Sequence, residues 1–137
     1  MKISAVDQSP IFSNTNADQA IRETKDLAKY CDSLGLNRFW LAEHHGSNSF
    51  AGCSPEILIP SLAAQTESIR VGSGGVMLMH YSPYKVAENF RLLESLFPKR
   101  IDLGLGRAPG SDAYHAGALA YGSKTKGFIG GMWWWGC

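Results

Sequence analysis

The sequence predicts an α/β fold of parallel βα repeats, and three observations carry that prediction. Short apolar runs that read as strands begin near residues 3, 38, 69 and 101, a pitch of 31 to 35 residues. Between them lie segments with apolar residues at helical spacing, opened by cap or proline residues. No hairpin signal joins one strand to the next, so the strands are parallel and need helices across each connection.

The first unit is a strand over residues 3–6, stopped by Asp7-Gln8-Ser9-Pro10. In the helix after it, Ala20, Ile21, Leu27, Ala28, Cys31 and Leu34 form the apolar face, with Asn16 as N-cap and Gly35 as the stop. A second strand spans residues 38–42 and empties into the long loop 43–53. Ser54-Pro55 then starts a helix to about Thr66, as cap and first-turn proline. The third strand begins at Ile69-Arg70-Val71, crosses a glycine break at Gly72-Ser73-Gly74-Gly75 and resumes at Val76-Met77-Leu78, with residues 79–81 as loop. Ser82-Pro83 repeats the cap and proline device. The third helix puts Val86, Phe90, Leu93 and Phe97 on one face, Pro98 ends it, and residues 101–106 form the fourth strand.

Two architectures accommodate this pattern: an open doubly wound sheet, or the first half of a TIM (β/α)8 barrel, which needs about 250 residues when whole. Residues 1–116 form the βα unit. Residues 117–137 are an atypical Gly/Trp-rich tail ending in Trp133-Trp134-Trp135-Gly136-Cys137, and no fifth strand is visible there. The expectation is a truncated or frame-altered end, against a native segment that covers an exposed face.

With 45% apolar and 18% charged residues in 137, the chain supports one ordinary core. Thirteen basic residues stand against twelve acidic ones, so no field is present to attract nucleic acid or an anionic membrane. Cys31, Cys53 and Cys137 are odd in number and lack metal-type spacing, which points to thiols in a reducing cytoplasm. No apolar stretch approaches the roughly 20 residues a membrane span requires, and the N-terminus meets Asp7 before a signal h-region develops.

Ligands of parallel α/β proteins sit at the carboxyl ends of the strands. There the sequence places Asp7 and Gln8, then Glu43-His44-His45, then His80, then Arg107. An acid beside two imidazoles can supply a base, a donor or metal ligands near neutral pH. A metal reading gathers Glu43, His45, His80 and Asp7 around one ion, although the spacing fits no standard zinc pattern. Histidines fixed in a loop by hydrogen bonds are the structural alternative. The glycine break marks either a bulge or a close approach of bare backbone to a flat ligand. Gly104-Leu105-Gly106-Arg107-Ala108-Pro109-Gly110 fails the dinucleotide fingerprint because Pro109 occupies the sixth position. What it retains is an arginine in a glycine-rich turn, a phosphate anchor or a solvated charge.

Taken together, Asp7-Gln8-Ser9-Pro10, residues 40–45, residues 70–78 and residues 100–110 resemble, in order, the signatures of the bacterial luciferase-like flavin monooxygenases over residues 1 to about 115. The resemblance implies a (β/α)8 barrel, usually a homodimer, that binds reduced FMN and uses O2 on a small organic substrate of the aldehyde or alkane type. It implies a separate NAD(P)H flavin reductase as partner. By the same resemblance His44 looks like the catalytic histidine with Glu43 beside it, Gly74, Gly75, Val76 and Met77 like the flavin floor, often crossed by a non-proline cis peptide, and Arg107 like a phosphate contact. Gly106 stands where the luciferases proper often carry a reactive cysteine, so light emission is not implied. Alternatives are an oxidoreductase of the same superfamily that uses the deazaflavin coenzyme F420, and a non-catalytic half-barrel that self-associates.

Overall fold

In the computed structural model, which describes residues 1–121, β1 (Ser4–Asp7), α1 (Ala17–Ser33), β2 (Arg38–Leu41), α2 (Pro55–Ala63), β3 (Arg70–Met77), α3 (Pro83–Leu96), β4 (Ile101–Gly106) and α4 (Ala113–Leu119) follow one another. The four strands form one parallel sheet in the order β1-β2-β3-β4. A doubly wound sheet reverses its strand order part-way; this one does not, so right-handed crossovers put the helices on one face. The described residues therefore have the arrangement of consecutive barrel strands.

Register sorts the side chains into two faces. Phe39 on β2 lies opposite Val71 on β3, which lies opposite Ile101 on β4. These three join Leu41, Ile59, Leu62, Val86, Phe90 and Leu93 in the core between sheet and helices. Full burial of each such side chain contributes about 1.5 to 3 kcal/mol. On the other face the layer Val6, Trp40, Gly72 and Asp102 runs across the sheet. Val6 is exposed there, and Trp40 lies over glycines: a Cβ on Gly74 would stand 3.0 Å from Trp40 Cβ, and one on Gly104 3.5 Å from its Cζ3.

Local chemistry explains most element ends. Asn16 accepts from the Gln19 amide at 2.9 Å and opens α1, and Gly35 at φ 71° lets the chain leave it. Ser82 caps α3 through Lys85 N. Ser54 forms no capping hydrogen bond, so α2 starts on Pro55 alone. Leu27 and Leu34, expected on the buried face of α1, are exposed, and Thr24 takes a buried position instead because its hydroxyl reaches Asp7. The glycine break does not interrupt β3: the strand runs through it, with a register shift between Ser73 and Val76 and a cis peptide at Gly74–Gly75. A single helical turn over Leu78–His80 replaces the expected loop. Helix α4 runs across the expected boundary at residue 116, and the tryptophan triplet lies outside the described residues.

Candidate functional site

The loop after β2 is held from two sides. Ala51 N donates to Ser9 O and Ile11 N to Ser49 O, a short antiparallel bridge onto the chain following β1. Ser9 is itself buried at φ 51° and donates to Asp7, whose carboxylate also takes the Thr24 hydroxyl at 2.6 Å. Asp7 is thereby committed to fixing this loop against α1. Three side chains gathered as ion ligands are absent among the described residues.

Glu43 is the centre of the loop's other anchor. Its side chain is 1% exposed, and three donors converge on it. Met77 N reaches Oε2 at 2.8 Å, the Tyr81 hydroxyl reaches Oε1 at 2.5 Å, and His45 Nε2 lies 2.7 Å from the same oxygen. His45 Nε2 is also 3.2 Å from the Tyr81 oxygen. Burial first, then the hydrogen bond to Glu43 and its charge, push the Tyr81 phenol well above its ordinary value. Nothing in the sequence pairs Tyr81 with residue 43, and sequence reasoning missed it.

His44 sits differently. Its backbone N donates to Gly52 O at 2.9 Å, and its ring stacks on Phe50 with centroids 4.3 Å apart and planes inclined by 22°. Its Nε2 is buried without a hydrogen-bond partner. The other buried orphan among the described side chains is His80 Nδ1, on a ring whose Nε2 lies 3.2 Å from Ala108 O in the loop after β4. An unpaired buried nitrogen costs about 1 to 3 kcal/mol, so such atoms call for an explanation.

The structure thus brings Glu43, His45 and Met77 into one hydrogen-bonded group, with His44 adjacent in the chain. Gly74, Gly75 and Val76 precede Met77 on β3. The glycines at 72, 75 and 104 are required by the neighbouring strand: a Cβ on Gly75 would stand 2.8 Å from Gly104 O, and one on Gly104 2.2 Å from Ser73 O. Val76 is buried in the core, facing the helices. Arg107 is exposed, one residue beyond β4.

A family model described as luciferase-like monooxygenase matches residues 1–122. The chain belongs to that family. Among its relatives in Bacillus subtilis (strain 168), the protein YwcH is 56% identical over 92% of this chain, and an N-acetyl-S-alkylcysteine monooxygenase is 49% identical over 87%. The crystal structure of apo-MsnO8 superposes with a TM-score of 0.86 at 46% identity, covering 90% of this chain and 37% of that one. At lower identity the same fold recurs in the oxygenating constituent of a 3,6-diketocamphane monooxygenase from Pseudomonas putida in complex with FMN, covering 96% of this chain and 36% of that one (TM-score 0.79, 23%), and in an F420-dependent secondary alcohol dehydrogenase, covering 77% and 31% (0.61, 16%). The chain covers 38% of YwcH and 36% of the N-acetyl-S-alkylcysteine monooxygenase.

Proposed function

We propose that this chain is the cofactor-facing part of a flavin-dependent monooxygenase that takes reduced FMN and O2 and oxidises a small organic molecule. The observation that carries the reading is the buried, unpartnered Nε2 of His44 at the carboxyl end of β2, in a chain of this family. A buried polar atom with no partner among the described residues, on a ring stacked against Phe50, is available to a group from outside them.

The residues fit a flavin. The sheet face opposite the helices carries Gly72, Gly74 and Gly104 beside Trp40, so a planar ring system meets little side-chain obstruction. When bound, the reduced flavin supplies two electrons and O2 supplies the oxygen atom that is transferred. The backbone of Gly74, Gly75, Val76 and Met77 forms the floor, with the Val76 side chain turned away into the core, and Arg107 binds the phosphate through a charge-assisted contact. His44 holds or delivers a proton at Nε2, while Glu43, saturated by three donors, keeps the histidine loop and the end of β3 together and excludes water. A separate NAD(P)H flavin reductase delivers the reduced cofactor, and the whole protein forms a homodimer.

The test is titration with oxidised and anaerobically reduced FMN, followed by calorimetry, on this chain and on a longer one with the extent of its relatives. Binding by the longer chain, weakened at least about tenfold in R107A, is the expected outcome; no binding by either sinks the reading. A deazaflavin in place of FMN is favoured by the shared fold of the F420-dependent dehydrogenase, and competition between the two cofactors decides. Self-association through the sheet is favoured by Leu103 and Leu105, exposed on β4. Light scattering that finds a monomer at micromolar concentration excludes it.

A further inference from the structure

The proton inventory around Glu43 singles out a residue that the flavin reading leaves without a role. A carboxylate offers only acceptors, so each neighbour within reach must donate. Met77 gives its amide hydrogen to Oε2, and Tyr81 gives its single phenolic hydrogen to Oε1. His45 Nε2, 2.7 Å from Oε1, must therefore be the protonated nitrogen of its ring, and the Tyr81 oxygen 3.2 Å away can share that hydrogen through a lone pair. Tyr81 is thus donor to the acid and acceptor from the imidazole. It closes a three-membered junction between the loop after β2, the end of β3 and the turn after it.

We propose that Tyr81 is a positioning residue for the site. Its hydroxyl fixes the rotamer of Glu43, and Glu43 in turn fixes Met77 at the end of the glycine floor and the nitrogen on which His45 carries its proton. Its place in the chemistry rests on the flavin reading above, but the junction is a property of this chain alone. A carboxamide at position 43 has a single acceptor oxygen and would turn an N–H toward one of the other donors, so only a carboxylate satisfies this arrangement. The neighbouring residue makes the same turn a double anchor, since His80 reaches Ala108 in the loop that carries Arg107.

The experiment is amide hydrogen exchange with NMR detection on this chain, without flavin. Y81F keeps the aromatic ring, so a role in packing alone leaves the exchange of Met77 N–H unchanged. The expected result is an increase of about tenfold at Met77, the size of one charge-assisted hydrogen bond, with Val71 on the same strand unaffected. E43Q raises it at least as much, and the double variant raises it no further than E43Q alone, because both remove the same junction. Unchanged exchange at Met77 in folded Y81F, or additive effects in the double variant, overturns the proposal. A second readout needs no variant: the Tyr81 phenolic proton gives a slowly exchanging resonance downfield of the amides, and its absence in the unmodified chain is equally fatal. FMN titration decides the flavin reading separately.

Discussion

The two ends of the sheet handle charge in opposite ways. At the amino ends of the strands, Arg38 and Arg70 converge on Asp102, with Nε of each 3.0 and 2.8 Å from Oδ2 and Arg70 also on Oδ1 at 2.7 Å. At the carboxyl ends, Glu43 is equally well served, but His44 Nε2 and His80 Nδ1 are buried with nothing to bond. Both buried orphans among the described side chains lie at this end. One end of the sheet is settled by the described residues, and the other leaves two buried imidazole nitrogens without a partner among them. That asymmetry is the physical content of placing the site at the strand carboxyl ends.

Breaking the sheet itself has the largest effect. Gly104→Ala would put a Cβ 2.2 Å from Ser73 O, a backbone atom of the neighbouring strand, and costs about 3 kcal/mol in urea unfolding, with both ends of the sheet lost together. The Asp102→Asn variant attacks the settled end only. It leaves two guanidinium groups short of their carboxylate and costs about 2 kcal/mol at pH 7. Burial pushes Asp102 upward, yet the hydrogen bond and charge of Arg70 and the charge of Arg38 outweigh it and hold the acid below the usual carboxylate range. A depressed value in the folded state adds stability that is present above the ordinary value of about 4 and is lost as pH falls through the folded one. The difference in stability between the unmodified chain and D102N is therefore constant above pH 5 and shrinks in acid, which urea midpoints across pH 2.5 to 7 will report. Asp32 shares the acid limb, held low against its own desolvation by the amides of Glu67, Ile69 and Ser68 and by the Ser68 hydroxyl, but it contributes equally to both proteins.

The smallest stability effect, and the sharpest contrast, belongs to the unsettled end. His44→Phe keeps a ring on Phe50 and removes the orphan nitrogen, so the fold gains up to about 1 kcal/mol. In the longer chain the same change lowers flavin-dependent oxidation by about a hundredfold or more, the share of a positioned proton donor. A stability loss in H44F would mean that Nε2 has a partner within the fold.

The strands, the three helices between them and their order were legible because each signal is local: an apolar run of strand length, Asn16 and Ser82 as caps, Pro55 and Pro83 in first turns. Leu27 and Leu34 misled because an apolar residue at helical spacing need not face a strand, whereas Thr24 can be buried once Asp7 accepts its hydrogen. The glycines of β3 were ambiguous in sequence because a bulge and a close approach to a ligand demand the same residue; the structure shows the irregularity, with β4 backbone and Trp40 close against the glycines. Glu43 and His44 stood out in the sequence as reactive residue types, but the difference between their settings did not. That Glu43 is saturated and His44 unpaired depends on Met77, Tyr81 and Phe50, and no local pattern links those residues to residues 43 and 44.

A sheet whose spatial order is its chain order also has a direction of growth. Each strand from β2 onward pairs with the strand one βα unit earlier in the chain. Among the described strands, every new pairing then closes a loop of similar length onto an edge that has already formed. Such a molecule can be laid down as it leaves the ribosome, unit upon unit from its amino terminus.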